Sequence, residues 1–182
     1  MTKLTYSDEL ITKVLRDVKT IALVGASANE VRPSYFVLKY LLSKGYRVFP
    51  VNPGLEGQDL LGQQVYASIE TIEEPIDMVE VFRGGEAAGE ITDQAIKVGA
   101  KVVWMQLGVV NEDAAKRAEE AGLTVIMDRC PKMEYGRLNG EMGWVGANSR
   151  VIDNRRKGLM GNQRQKSATL TRTPIGQGKG TL

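Results

Sequence analysis

Thr20-Ile-Ala-Leu-Val-Gly-Ala-Ser27 is the stretch on which the fold turns. Ile21 to Val24 is a short continuous apolar run, the mark of a strand buried on both faces, and Gly25 breaks it where the chain must bend. A buried strand that ends in glycine and feeds a helix sets bare amides, here those of Gly25, Ala26 and Ser27, beside the positive end of that helix. The bend therefore reads as an anion cradle and the expected seat of a nucleotide diphosphate.

Working outward, residues 7–18 predict a helix: Ser7 is a suitable N-cap, Asp8 and Glu9 fill the first turn, and Leu10, Ile11, Val14, Leu15 and Val18 form one stripe. On the other side of the bend, 34–44 predicts a helix with Pro33 at its start and Gly45 at its end. Arg47 to Val51 is a second strand, stopped by Asn52, Pro53 and Gly54. Residues 54–75 read as a long surface connection. Beyond it come strand 77–82, helix 86–98, strand 102–105, helix 112–121 capped by Asn111, and strand 124–127.

One pattern occurs three times, as Gly45-Tyr-Arg-Val-Phe, Gly99-Ala-Lys-Val-Val and Gly122-Leu-Thr-Val-Ile. Each sets a glycine at a helix end, then a short turn, then a buried strand. Alternation of this kind means right-handed crossovers, so the expected fold is α/β: a doubly wound, Rossmann-like, five-stranded parallel sheet with helices on both faces. Ligands of such sheets bind at the carboxyl ends of the strands, near the point where the strand order reverses.

With 182 residues, the chain has length for one cored domain and a modest appendage. Residues 151–182 carry seven Lys/Arg against the single acid Asp153, which leaves residues 1–150 at −4 within a total of +2. The expected division is a binding domain over 1–150 and a basic, disordered tail over 151–182, where too few apolar residues are present to offset ordering entropy. No aromatics are interleaved with those cations for base stacking, so nucleic acid is not the expected partner. No apolar run approaches the roughly 18 residues that span a bilayer, and no signal pattern opens the chain, so a cytoplasmic protein is expected. A single cysteine, Cys130, agrees with a reducing compartment. The absence of histidine removes imidazole metal sites and the His-activated nucleophiles.

The nucleotide can be narrowed further. Gly25, Ser27 and Glu30 stand where the dinucleotide fingerprint wants three glycines, and the second strand ends at Asn52 rather than at an acid. NAD fits poorly. Arg32, a few residues past the bend, suits a ligand with an extra phosphate, such as coenzyme A or NADP. Cys130 lies between Arg129 and Lys132, cations that lower a thiol pKa when close.

Six segments carry a family resemblance: Val24-Gly-Ala-Ser27, Arg32-Pro-Ser-Tyr35, Phe49-Pro-Val-Asn-Pro53, Val81-Phe-Arg83, Gln106-Leu-Gly-Val109 and Asp128-Arg-Cys-Pro-Lys132. Over residues 7–140 the chain resembles the small single-domain CoA-binding proteins, which are similar to the N-terminal domain of the succinyl-CoA ligase alpha subunit. The resemblance implies CoA or an acyl-CoA as the partner. Gly25, Ala26 and Ser27 would meet its diphosphate, Val51, Asn52 and Pro53 would border the nucleotide, and Val81, Phe82 and Arg83 would line the adenine or pantetheine side. Gln106 to Gly108 would close the pocket. The ligase's phosphate-binding lysine falls at Leu55, so the 3'-phosphate contact shifts to Arg32 or Arg83. Val51 and Phe82 suit a packed core equally well, Asn52-Pro53 a strand stop, and Gly108 a turn. The ligase's phosphate-carrying histidine has no counterpart, so binding without catalysis is the expected role. The alternative is a NADP-dependent oxidoreductase with a degenerate fingerprint, using Tyr66, Tyr135 or Lys132 as proton donor.

Overall fold

The computed structural model describes residues 4–140, and the basic stretch 151–182 lies outside the described residues. In chain order the elements are α1 (Asp8–Asp17), β1 (Thr20–Val24), α2 (Pro33–Ser43), β2 (Arg47–Val51), a small antiparallel ribbon of β3 (Asp59–Leu60) and β4 (Gln63–Gln64), β5 (Met78–Val81), α3 (Glu86–Lys97), β6 (Val102–Met105), α4 (Glu112–Glu120), β7 (Thr124–Ile126) and α5 (Pro131–Leu138). Five parallel strands form one sheet in the order β2-β1-β5-β6-β7. The alternation of helix stripes and apolar runs thus yields the expected doubly wound sheet.

Each face of the sheet has its own core. Alanines of α3 and α4 (Ala88, Ala95, Ala114, Ala115, Ala118) pack on Val79, Val81, Val103 and Met105, so these helices lie close to the strands. On the other face Ile11, Val14 and Leu15 of α1 and Val37, Leu38 and Leu41 of α2 cover Ile21, Leu23, Met78 and Trp104. Leu23, Leu38 and Leu41 are fully buried, each contributing roughly 2 kcal/mol of transfer free energy. The Ser7 hydroxyl accepts the Leu10 amide at 3.2 Å, so α1 starts where its cap sets it.

Two segments differ from the sequence-based reading. The connection after β2 is not a surface loop: Leu60, Val65, Ile69, Ile72 and Ile76 are all buried, and the segment folds as the ribbon plus short 3-10 turns at Pro53–Leu55 and Ile69–Thr71. Its apolar residues are spaced irregularly, which hid their common destination. The second difference is α5, an unforeseen helix whose buried residues include Glu134 and Gly136 rather than an apolar stripe. Glu134 is buried against Arg137 at 2.7 Å, and the same guanidinium reaches Asp8 of α1 at 2.8 Å. Charge pairing, together with Leu138, Met133 and Tyr135 against the α1/α2 core, docks this helix.

At the amino edge of the sheet one carboxylate ties three strands. Asp77 Oδ2 accepts the amides of Lys19 (2.9 Å) and Thr20 (3.2 Å), while Oδ1 accepts the Lys101 ammonium at 2.7 Å. Burial pushes the Asp77 carboxyl up, but Lys101, the two amides and the Thr20 hydroxyl outweigh it and hold it down at about 2.

At the opposite edge, the chain leaves β1 for β2 on one side and returns to β5 on the other. This reversal sits at Gly25, whose φ is +93°. A Cβ there would stand 3.0 Å from the Phe82 Cβ and 3.3 Å from the Arg83 stem. Gly45 has a similar φ of +84° and open space around it.

Asp77→Ala is expected to cost about 2 kcal/mol in urea unfolding at neutral pH, the usual scale for hydrogen bonds to a charged group. Because the folded carboxyl titrates below its unfolded value, the wild-type advantage is present above pH 4 and vanishes as pH falls through about 2. Gly25→Ala is expected to destabilise by about 1–2 kcal/mol more than Gly45→Ala, since both meet the left-handed backbone cost and only the first meets Phe82.

Candidate functional site

The carboxyl ends of β1, β2, β5 and β6 collect the residues singled out in the sequence. The crossover topology also brings the start of α2 to this edge. α2 has no acid in its first turn, Pro33 at its start and Arg32 as its N-cap residue, with no side-chain capping bond. It begins eight residues beyond Gly25 rather than directly at the bend. Between them Ser27 Oγ accepts the Asn29 amide (3.1 Å), Asn29 Oδ1 accepts the Val31 amide (3.1 Å), and the Asn29 carbonyl accepts the Arg32 amide (3.0 Å). Two successive side-chain-closed turns thus replace the glycines of the dinucleotide fingerprint.

The expectation for the anion-facing amides needs correction. Gly25 and Ala26 both donate to the carbonyl of Val51, at 3.0 and 3.2 Å, because Val51 closes the ladder opposite Val24 and its carbonyl faces the residues that follow. Among the described residues the amides of Ser27 and Ala28 have no such partner, so the donors sit later in the bend than the glycine suggested. Asn52 explains how the bend keeps its shape. Its Nδ2 donates to the Ala26 carbonyl at 2.7 Å and its Oδ1 accepts the Gly54 amide at 2.9 Å, which locks β2 to the bend. Pro53 is exposed at the start of the following 3-10 turn.

Val51 and Val81, 2% and 0% exposed, are core residues whose side chains pack under the site. Phe82 is half-buried against the α1/α2 core and its amide donates to the Val24 carbonyl at 2.9 Å. Arg83 is exposed, and its aliphatic stem lies against Gly25. Arg32 is exposed as well. Among the described residues neither guanidinium enters an ion pair.

Beyond β6, Gln106 is buried and its side chain is used at both ends: Nε2 donates to Glu80 Oε1 at 3.1 Å and Oε1 accepts the Leu107 amide at 2.9 Å. Gly108 is exposed, with φ +76° and its amide donating to Asp128 Oδ1 at 2.8 Å. Asp128 itself has φ +52° and donates its amide to the Val109 carbonyl at 3.2 Å. A left-handed backbone at a non-glycine is held here by two bonds to the same loop. The sequence reading gave no role to Asp128 or Glu80. Glu80 carried a signal, as the one charge inside the otherwise apolar Met78-Val-Glu-Val81.

Cys130 is not the activated thiol its neighbours suggested. It is buried, and burial pushes its thiol up, opposed by the Met133 amide and then pushed up further by Glu80. The flanking cations are engaged elsewhere: the Arg129 guanidinium donates to the Leu4 and Asp128 carbonyls, and the Lys132 ammonium sits over the rings of Phe36 and Tyr40. Tyr66 packs edge-on against Phe49, whereas Tyr135 and Lys132 both engage Tyr40, so the three expected proton donors fall in two separate packing contacts. A polar depression of about 400 Å³ lies elsewhere, on the segment after β2, between Glu56, Tyr66 and Glu74. It contains none of the expected cofactor-binding residues, and of the proton donors named for the oxidoreductase alternative only Tyr66.

The sequence model of the CoA binding domain matches residues 19–136. An uncharacterized protein, YneT, of Bacillus subtilis (strain 168) is 38% identical over 125 residues, 69% of this chain and 91% of that protein. The solved structure of a hypothetical protein from Pyrococcus horikoshii OT3 is 42% identical with a TM-score of 0.71, covering 76% of this chain and 99% of its own. An ADP-forming acetate–CoA ligase of Methanocaldococcus jannaschii is 25% identical over 83 residues, 46% of this chain but 12% of the ligase. Among the described residues no helix is long and apolar enough to cross a membrane. With its sheet order, its bend after β1 and its match across 19–136, the chain belongs to the CoA binding domain family.

Proposed function

We propose that this protein binds coenzyme A or an acyl-CoA across the carboxyl ends of β1, β2, β5 and β6, and that it binds without turning the ligand over. The observation that carries the reading is the match to the CoA binding domain over residues 19–136, together with the Ser27 and Ala28 amides left without partners among the described residues at the bend after β1. A diphosphate suits the Ser27 and Ala28 amides and the amino end of α2. The exposed cations Arg83 and Arg32 flank that bend and suit the further phosphate on the ribose. Asn52 and Pro53 border the nucleotide, and the 106–108 loop forms the far wall.

The non-catalytic part of the reading rests on chemistry. The sequence holds no histidine to carry a phosphoryl group. Burial keeps the Cys130 thiol protonated, which makes it a poor nucleophile. Bound CoA would supply its own reactive thiol, and this chain's residues would hold and shield the nucleotide end.

Calorimetric titration of the full chain with CoA, dephospho-CoA and NADP tests the proposal. CoA is expected to bind more tightly than the other two. Arg83→Ala or Arg32→Ala, whichever cation meets the ribose phosphate, is expected to weaken CoA about tenfold and to erase its advantage over dephospho-CoA. Binding of NADP with no binding of CoA would overturn the assignment and favour the oxidoreductase.

A further inference from the structure

Glu80 is the one fully buried carboxyl in the heart of the sheet that the proposed binding does not use. It is 0% exposed on the central strand β5, level with Leu23 of β1 and Trp104 of β6. Its Oε1 accepts the Gln106 side-chain amide, while Oε2 has no partner among the described residues. The titratable group facing it is the Cys130 thiol at the start of α5; its neighbours from β1 and β6 are apolar, apart from Gln106. A polar atom left unmatched in such a place calls for an explanation.

Gln106 supplies it. With one end of its side chain on Glu80 and the other on the Leu107 amide, Gln106 translates the state of a buried carboxyl into the shape of an exposed loop. That loop continues through Gly108 to Asp128, and its apolar members Leu107 and Val110 stand exposed at its rim. A neutral carboxyl leaves one hydroxyl unmatched. An ionised one leaves a full charge in an apolar interior with a single donor, and relief requires water or movement of Gln106.

We propose that Glu80 is the positioning residue for the 106–109 wall, gripping it through Gln106, and that the wall keeps its ligand-facing shape only while the carboxyl carries a proton. Desolvation agrees in direction: it pushes this carboxyl up to about 8, with the Gln106 bond opposing. At neutral pH the grip is closed. As pH rises through about 8 Glu80 ionises, Gln106 is drawn away from Leu107, and the wall loosens. The inference takes its ligand from the CoA reading, but its geometry stands without it.

The test compares wild type, Glu80→Gln and Glu80→Leu in the full chain at pH 6.5 and 9.5. Calorimetry with CoA is expected to show at least a tenfold loss of affinity for the wild type at the higher pH. Glu80→Gln, which keeps the acceptor and cannot ionise, is expected to hold its affinity at both. Glu80→Leu removes the acceptor and is expected to bind weakly throughout. In parallel, the hydrogen-exchange protection factor of the Leu107 amide is read by NMR without ligand. It should drop at least tenfold between the two pH values in wild type and stay level in Glu80→Gln. Equal pH dependence of wild type and Glu80→Gln in the protection factor would overturn the role of Glu80, even if Glu80→Leu fails to fold. Absence of CoA binding at pH 6.5 with the expected protection pattern would overturn the ligand and leave the positioning role standing.

Discussion

A side chain at residue 25 would crowd Phe82 on an already left-handed backbone, and much of the molecule is arranged around that constraint. The close approach of the β1 bend to Phe82 and Arg83 sets the spacing of the two central strands where the sheet changes direction. Asn52 and the Val51 carbonyl then fasten the bend from the other side. A glycine often marks a backbone that must yield to a ligand. Here the near neighbour is the protein itself, and the amides without partners among the described residues lie later, at Ser27 and Ala28.

The two faces of the sheet divide the work. Small alanines let α3 and α4 lie close to β5 and β6, and an Asp93–Arg117 pair at 2.9 Å joins the two helices over that face. The other face is built from longer side chains under α1 and α2, and it also holds every buried polar group discussed above: Glu80, Gln106, Cys130 and the Arg129–Glu134–Arg137 set. Burying charges costs several kcal/mol per ion unless the pairing is close. α5 docks partly through such pairs, and just ahead of it the buried Trp104 indole donates to the Arg129 carbonyl at 2.8 Å.

The sheet, four of the five helices and the gathering of the candidate residues at the carboxyl edge were legible in the sequence because they follow from period and punctuation. Ile21–Val24, the stripe of α1, the Asn111 cap and the three glycine-strand repeats each point to one local structure. α5 was not legible because Glu134 and Gly136 interrupt its buried side, and Glu134 fits there through Arg137, which also reaches Asp8 far back in the chain. The buried residues after β2 were missed for want of a period. The direction of the Gly25 and Ala26 amides was equally hidden, since it depends on the register that sets Val51 opposite Val24. Cys130 misled because nearness in sequence to two cations says nothing of where their charges go. Val51 and Val81 were placed at the right edge but turn inward, as alternate residues of a strand buried on both faces must.

The outer strand β2 has a further implication. Pro50 has no amide hydrogen, its carbonyl already accepts the Tyr66 amide, and the Asn52 amide donates to the Tyr66 carbonyl. At the opposite margin β7 is three residues long, and the Tyr6 hydroxyl takes the Met127 amide just beyond it. Both borders are thereby blunted against recruitment of a foreign strand, which guards a flat five-stranded surface from the edge-to-edge polymerisation that such surfaces invite.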